Sequence, residues 1–303
     1  MRVGFLNNQI DNRGTGNAVF DYAHYNEEIL GNESLILTLD TQSRNSLMEA
    51  RLLDRFKAIF PYQYSQIDID VLYHIKSGAD DGFRAPEGVR YAVHGVFERP
   101  SGGDRNAAVS DWLARLYDIP YVPHIVQLPN STGNLRNQLG IGQDIVVLGR
   151  YGGSDSFDIS WVWDAIGRTL DQRRDLVFLF MNTDGIPHEI KNSGRCVEIP
   201  PISDPLAKRI FINTCDGMIH ARSRGETFGI AVGEFAICGK PIITYGGSYE
   251  QNHYLELPYA EKYNNKEELI DILLNFKPYT VKGYLEYTPE KVMKKFKEVF
   301  LDD

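Results

Sequence analysis

Two glutamates eight positions apart, Glu226 and Glu234, are the residues of this chain whose types and surroundings most favour chemistry. They lie in segment 223–244, which reads SRGETFGIAVGEFAICGKPIIT. Gly225 and Gly229 permit a ligand to approach the backbone closely. A helix predicted to open near Phe228 aims free amides and the positive end of its dipole at any phosphate placed there. The segment therefore favours a ligand that carries both phosphate and hydroxyl groups.

The frame around the two glutamates carries more information than their spacing, because glutamate pairs eight apart are common by chance. Small residues at 231 and 233 lie between them and another follows at 236, and Gly239, Lys240 and Pro241 predict the end of the helix. A buried strand is predicted at 242–244. In this frame the segment resembles the glutamate-x7-glutamate signature of retaining glycosyltransferases of the GT-B fold, most closely glycosyltransferase family 4.

The resemblance implies a role for each residue of the signature. Glu226 is expected to hydrogen-bond a hydroxyl of the transferred sugar as the main catalytic contact. The backbone near Phe228, Gly229 and Ile230 is expected to hold the donor diphosphate, and Glu234 to bind the nucleotide ribose. The alternative for Glu234 is a helix glutamate that faces water.

A strand that ends in Gly149 and Arg150 resembles the start of the family's second domain. The resemblance implies that Arg150 contacts the donor diphosphate, which suits a charged, forked donor group. The family usually has a lysine five residues later, where this chain has Asp155. Either the glycine-rich turn 151–156 supplies amides instead, or Arg222 or Arg224 supplies the missing cation, with Arg222 favoured.

His94 is the histidine that the resemblance favours for catalysis, because family members often have a histidine in this region that faces the donor sugar. It follows the predicted strand 91–93, at the carboxyl end where α/β ligand clefts form. The alternative is a histidine that packs or caps the strand end. His124 and His220 are interpreted as structural.

Three further donor-binding residues follow from the resemblance. Gly14 and Gly16 are expected to shape the first turn, where acceptor or phosphate approaches; a lone G-x-G is a weak motif. Residue 19 is Val rather than the third glycine of a dinucleotide fingerprint, which disfavours a nicotinamide enzyme. The nucleotide base is expected against the turn at 182–183 and the segment 199–202, which begins with Ile199.

The order of predicted elements indicates an α/β fold. Strands and helices alternate in two series, with strands at 176–181, 196–199 and 217–220 and a helix at 205–214 in the second. With the resemblance, this predicts the GT-B architecture, in which two Rossmann-like doubly wound domains face a central cleft. We predict an acceptor-side domain at 1–126, a donor domain at 127–285, and a C-terminal helix at 286–303 that crosses back to the first domain.

Composition excludes several other classes of protein. A net charge of −9 over 303 residues disfavours a nucleic-acid binder. Three separated cysteines form no disulfide framework. No apolar run is long enough for a transmembrane segment, and the first residues read as a strand rather than a signal peptide, so a cytoplasmic protein is expected. A stripe of leucines at 46–60 is interpreted as a helix packed on its own sheet, with membrane contact as the alternative.

These observations predict a metal-independent, retaining glycosyltransferase that moves a hexose-type sugar from a nucleoside-diphosphate donor to a hydroxyl acceptor, such as a glycan or a lipid-linked glycan. No cofactor and no metal site are expected, since the sequence has no Asp-x-Asp motif that is clustered with neighbouring carboxylates. Two alternatives stay open. One is a catalytically inactive nucleotide-sugar-binding partner subunit, favoured by Asp155, and the other is a nucleotide-sugar epimerase of the same architecture.

Overall fold

The two series of alternating strands and helices form two compact units, each built on a parallel sheet. The computed structural model describes residues 1–11, 13–39, 46–62 and 67–302. Asn12 of the predicted first turn and position 303 of the predicted last segment lie outside the described residues. Unit 1 consists of Met1–Val126 and Glu286–Asp303, and unit 2 consists of Gln127–Leu285.

Unit 1 contains a six-stranded parallel sheet with strand order β3-β2-β1-β4-β5-β6. Its strands are β1 (Arg2–Asn7), β2 (Glu33–Thr38), β3 (Phe60–Pro61), β4 (Val71–Lys76), β5 (Arg90–Gly95) and β6 (Arg105–Ala108). Its first three helices are α1 (Gly14–Glu28), α2 (Ser46–Phe56) and α3 (Asp111–Tyr117). The central strands are buried on both faces, as covering helices require.

The C-terminal segment packs on unit 1 through aromatic side chains. It begins with α10 (Pro289–Phe296), with proline at the first helical position after Thr288, and continues as a π-helical turn, Lys297–Leu301. The Phe296 ring stacks on Tyr22, with 5.1 Å between ring centroids. Phe300 meets Tyr73 edge to face at 5.5 Å. Both phenylalanines are 0% exposed, so this helix is part of the core of unit 1.

Helix α2 packs on its own unit through one face. Met48 and Leu52 are buried, and the Arg51 guanidinium lies 3.7 Å from the centroid of the Phe20 ring of α1. Leu47 and Leu53 remain exposed on the other side. Within the described ranges, no helix has the length and apolar character to cross a membrane.

Unit 2 contains a second six-stranded parallel sheet, with strand order β14-β12-β10-β7-β8-β9. Its sheet strands are β7 (Val146–Arg150), β8 (Leu176–Met181), β9 (Cys196–Ile199), β10 (Gly217–His220), β12 (Ile242–Tyr245) and β14 (Glu261–Tyr263). Its helices are α4 (Ser160–Gln172), α5 (His188–Lys191), α6 (Pro205–Thr214), α7 (Ile230–Ile237), α8 (Asn252–Glu256) and α9 (Lys266–Asn275).

A separate two-stranded parallel ladder lies in the loops of unit 2. It pairs β11 (Gly225–Glu226), which follows β10, with β13 (Glu250–Gln251), which follows β12. The loops that leave two neighbouring strands are thus joined to each other, and one of them carries Glu226.

Candidate functional site

The carboxyl ends of the strands of unit 2 bring the predicted donor-side residues to one edge of the sheet. Arg150 ends β7, Ile199 ends β9 and His220 ends β10. Because all these strands are parallel, their carboxyl ends share an edge, which is where open α/β sheets bind ligands.

The loop that carries Glu226 is fixed by local hydrogen bonds and by a glycine. Asp158 accepts from the Ser223 amide at 2.7 Å and from the Ser223 hydroxyl at 2.8 Å. Gly225 has φ of 84°, and a Cβ there would lie 2.0 Å from the Glu250 carbonyl oxygen. Only glycine meets both conditions, so it brings the loop against β13.

The Glu226 carboxylate is bound by two donors. Arg222 Nη1 donates to Oε2 at 2.9 Å, and His220 Nε2 lies 3.1 Å from Oε1. The side chain is 21% exposed. Burial opposes ionisation, but the charge of Arg222 and the hydrogen bond from His220 outweigh it and lower the pKa of Glu226 to about 2. The group is therefore a partly accessible carboxylate at neutral pH.

Helix α7 begins at Ile230, beside Glu226, two residues after the predicted opening. Gly229 caps it with φ of 88°, and the Phe228 carbonyl accepts from Tyr284 Oη at 2.8 Å and from Asn252 Nδ2 at 3.1 Å. Phe228 is buried, whereas Ile230 is half-buried. The first amides of a helix have no intrahelical acceptor, so this end favours an anion.

Glu234 lies inside unit 2 and does not face water. It is 5% exposed, accepts a hydrogen bond from the Tyr151 hydroxyl, and forms an ion pair with Lys208 Nζ at 3.3 Å. The water-facing alternative is thus wrong. A ribose hydroxyl that reached this carboxylate would have to share it with these partners.

Arg150 is committed to protein acceptors. Its Nη1 donates to the Asn182 carbonyl and the Thr183 hydroxyl at 2.8 and 2.6 Å, and its Nη2 donates to the Gly153 carbonyl and the Ser156 hydroxyl at 2.6 and 2.7 Å. It is 3% exposed. Burial lowers the pKa of Arg150 to about 10, with the charge of Glu226 opposing this. The arginine stays charged and clamps the glycine-rich turn to the 182–183 turn.

Arg222 supplies the cation that pairs with the Glu226 carboxylate. Its guanidinium bonds Glu226, whereas Arg224 is paired with Glu250 through Nε at 2.5 Å and has a half-exposed side chain. Asp155 is exposed in the glycine-rich turn. The arrangement favours Arg222 over Arg224 as the cation that stands in for the missing lysine.

His94 is placed differently from the catalytic expectation. It is 0% exposed in the core of unit 1, where its Nδ1 bonds the Tyr73 hydroxyl at 2.6 Å and its Nε2 bonds the carbonyls of Val122 and Ala108 at 2.9 and 3.2 Å. Burial lowers the pKa of His94 to about 4, while the two carbonyls act in the opposite direction. Since both ring nitrogens are engaged, the packing alternative fits this histidine and the catalytic role does not.

The remaining predicted residues have structural explanations as well. Gly14 and Gly16 form the first turn of α1 in unit 1, and a Cβ on Gly16 would lie 2.0 Å from the Asp11 carbonyl oxygen. The Ile199 carbonyl accepts from the Asn182 amide at 3.3 Å, where Asn182 has φ of 51°. These contacts position the turns, and binding of phosphate or base there stays a prediction.

Sequence reasoning missed the partners of both glutamates. His220, Thr244 and His253 form a chain of contacts that starts at Glu226, and Tyr151 and Lys208 bind Glu234. His220 had a usable signal, since it ends a strand six residues before Glu226. Tyr151 lies 83 positions from Glu234, and no local pattern links them.

Comparison with solved structures finds the same fold over the whole chain. HepE of Anabaena in complex with UDP-glucose superposes with a TM-score of 0.66 at 13% identity, over 99% of this chain and 95% of HepE. A glycosyltransferase from Rickettsia africae gives 0.63 at 12% identity, over 99% and 94%. WaaG, a glycosyltransferase involved in lipopolysaccharide biosynthesis, gives 0.58 at 10% identity, over 99% and 96%. No protein-family model matches the sequence, and no curated protein matches it significantly.

These likenesses and the two parallel sheets confirm the predicted GT-B fold. At this identity the likeness extends to the fold alone.

Proposed function

We propose that this chain is a glycosyltransferase that moves a hexose-type sugar from a nucleoside-diphosphate donor to a hydroxyl acceptor. The observation that carries the proposal is Glu226, an ionised and partly accessible carboxylate beside the amino end of α7. It supplies acceptors for sugar hydroxyls next to backbone donors for a diphosphate. Because HepE has the same fold and is described in complex with UDP and UDP-glucose, UDP-glucose is the first donor to test.

The residues of unit 2 suit a transfer in which the protein positions the donor and stabilises charge. The bond from the anomeric carbon to the diphosphate breaks, and negative charge grows on the departing phosphate oxygens beside α7 and Arg222. In the proposed retaining reaction, the acceptor oxygen attacks from the same face, and its proton passes to the departing phosphate. No metal ion takes part in this scheme, and retention and metal independence are both proposals.

Glu234 is the proposed contact for the donor ribose. Its pairing with Lys208 keeps the carboxylate oriented, and its bond to Tyr151 is the one that a ribose hydroxyl would replace, because a phenol hydroxyl can turn to another acceptor. The acceptor is proposed to be a glycan or a lipid-linked glycan, bound by residues that the resemblance does not identify.

A catalytically inactive nucleotide-sugar-binding subunit is the second candidate. Arg150 gives all four of its described bonds to the protein, and Asp155 occupies the position of the expected lysine. Both observations reduce the positive charge that the site offers to a diphosphate. This candidate predicts donor binding without turnover.

Thermal unfolding with UDP, UDP-glucose and other nucleoside diphosphates, with and without EDTA, tests donor binding. A ligand at a hundredfold over its dissociation constant stabilises by about 2.7 kcal/mol. A rise in the unfolding temperature that EDTA leaves unchanged supports a metal-independent site. If no ligand of the panel raises the unfolding temperature, the proposal is contradicted.

Transfer is then measured with UDP-glucose and a glycan acceptor panel, with the anomeric configuration of the product read by NMR. Glu226→Gln removes the charge and keeps the shape, so we expect loss of transfer with the fold retained. Glu267→Gln, at an exposed site in the first turn of α9, is the matched control and should leave transfer unchanged. Full activity of Glu226→Gln would contradict the assignment, and donor binding without transfer by the natural chain would favour the second candidate.

A further inference from the structure

A chain of three contacts runs from Glu226 into the interior of unit 2. Oε1 of Glu226 lies 3.1 Å from His220 Nε2, His220 Nδ1 lies 2.9 Å from Thr244 Oγ1, and Thr244 Oγ1 lies 3.2 Å from His253 Nε2. The three residues beyond Glu226 come from β10, β12 and α8, and are 6%, 0% and 1% exposed, respectively. Nothing in the proposed reaction requires two buried histidines behind a sugar-binding carboxylate.

The inner end of the chain fixes where its protons lie. His253 Nδ1 is buried and has no hydrogen-bond partner among the described residues. Burial lowers the pKa of His253 to about 3, so at neutral pH the ring is neutral and carries one proton. An unpaired buried N–H is the less favourable state, so the proton lies on Nε2, where Thr244 Oγ1 accepts it.

The position of the His253 proton determines the direction of the hydrogen bond between Thr244 and His220. With Thr244 Oγ1 accepting from His253, its hydroxyl proton is available to His220 Nδ1, the other described partner of this oxygen, and a donated bond there leaves no hydroxyl proton unpaired. A His220 ring that accepts at Nδ1 carries its proton on Nε2, which then donates to Glu226. Every described contact in the chain is satisfied in this arrangement.

We propose that His220 is a positioning residue for the reaction, held by Thr244 and His253 in the tautomer that fixes the Glu226 carboxylate. The proposal rests on the proposed role of Glu226 as the sugar contact. His220 holds Oε1 and Arg222 holds Oε2, so each oxygen keeps one free lone pair. Two fixed lone pairs on adjacent oxygens suit two vicinal hydroxyls of the donor sugar, whereas a rotating carboxylate would match them only part of the time.

Nuclear magnetic resonance of the ¹⁵N-histidine-labelled chain at neutral pH tests the arrangement without any substrate. We expect the His220 ring to show a protonated Nε2 and an unprotonated Nδ1. Thr244→Val removes the hydroxyl at nearly constant shape, so His220 should become a mixture of tautomers, while Thr244→Ser keeps the hydroxyl and should keep the natural spectrum. A protonated Nδ1 on His220 in the natural chain, or an unchanged His220 spectrum in Thr244→Val, would overturn the proposal.

The carboxylate itself gives a second readout that needs no activity. The charged and titratable groups that act on Glu226 are Arg222, His220, His253, Arg150 of β7 and Glu250 of β13. His220→Phe removes one donor and keeps the others, so the pKa of Glu226, followed by ¹³C-glutamate titration, should rise. His220→Gln places an amide N–H near the position of Nε2 and should restore much of the effect; equal pKa values for Glu226 in all three chains would also overturn the proposal.

Kinetics with UDP-glucose connect the tautomer to the reaction. Loss of one hydrogen bond to a charged group predicts about a 10- to 100-fold lower kcat for His220→Phe, with KM for the donor changed less and partial recovery in His220→Gln. If the natural chain turns over UDP-glucose and His220→Phe matches it, the positioning role is wrong. If the natural chain binds and transfers from no donor, the proposed function fails, and the two resonance experiments still decide the arrangement.

Discussion

Replacing Lys208 by methionine tests the buried ion pair behind the proposed ribose contact. The side chains of Lys208 and Glu234 are 10% and 7% exposed, and their charged atoms lie 3.3 Å apart. Lys208→Met keeps most of the apolar stem and leaves the Glu234 carboxylate buried with only the Tyr151 hydroxyl among its described partners. Breaking such a pair from one side costs about 3–5 kcal/mol, because an uncompensated charge stays buried.

Urea unfolding followed by tryptophan fluorescence measures this loss in unit 2. The chain has three tryptophans, and a Trp112→Phe background leaves Trp161 and Trp163 of α4 as the reporters. The double variant Lys208→Met with Glu234→Gln removes both charges and should recover to within about 1 kcal/mol of the background chain. Lys282→Met, at an exposed position of the same unit, should stay within about 0.5 kcal/mol.

Two results would refute this reasoning. A loss below about 1 kcal/mol in Lys208→Met would mean that the pair is not buried as the structure has it. A double variant as unstable as the single one would mean that the loss comes from packing of the lysine stem and not from charge.

Three further variants test how the site is held. Gly225→Ala should destabilise unit 2 and abolish donor binding, since its Cβ would lie 2.0 Å from the Glu250 carbonyl oxygen. Gly185 has a similar positive φ but open space around it, so the control Gly185→Ala should lower the free energy of unfolding by only about 1 kcal/mol in the same assay. Arg150→Met removes four hydrogen bonds, two to the glycine-rich turn and two to the 182–183 turn, and should raise the amide hydrogen-exchange rates of both turns by about 10-fold or more. Unchanged protection would contradict the clamp. Glu226→Gln should flatten the acid dependence of the free energy of unfolding. The pKa of Glu226 in the folded chain, about 2, lies below the ordinary 4.5, so the carboxylate contributes about 3 kcal/mol of stability above pH 4.5, which the natural chain loses as the pH falls toward 2. Parallel pH profiles of stability for the two chains would contradict this.

The sheet of unit 2 could be predicted from sequence because its strands are short apolar runs between clear breaks. Strands β8, β9 and β10 have the predicted bounds, and so does helix α6. In β8, β10 and α6 the local pattern and the tertiary burial agree, so nothing overrides the local preference. β9 is an edge strand without a fully buried residue.

The start of α7 could not be predicted as well, because tertiary contacts decide it. Going back from the helix toward the N-terminus, the apolar character extends to Phe228, which is why the sequence predicts a helix that opens there. In the structure the Phe228 carbonyl is bound by Tyr284 and Asn252, which lie far away in sequence. Gly229 is left-handed, and the helix begins after it at Ile230. A positive φ at a glycine leaves no mark on the sequence that distinguishes it from any other glycine.

For the candidate site, the two glutamates and the loop with Arg222 and Arg224 could be identified from the sequence. The contacts of individual side chains could not. His94 is the second-last residue of β5 and His220 is the last residue of β10, so their places in the strands barely separate them, and the nearness of His220 to Glu226 in sequence was the usable difference. His94 meets a tyrosine hydroxyl and two carbonyls in the core, whereas His220 meets Glu226. The partners of His94 lie 14 to 28 positions away in sequence, and no local pattern indicates them.

The ladder between β11 and β13 has a consequence for how this chain can vary over evolution. Gly225 pairs with Glu250 and Glu226 with Gln251, so the loops after β10 and β12 share one register. A residue inserted into either loop ahead of the ladder shifts that register by one, and in a strand a shift of one turns every side chain to the opposite face. Length changes in the two loops are therefore coupled, and we expect related sequences to keep both lengths or to change them together, while the exposed turns around Gly185 and Gly194 drift freely.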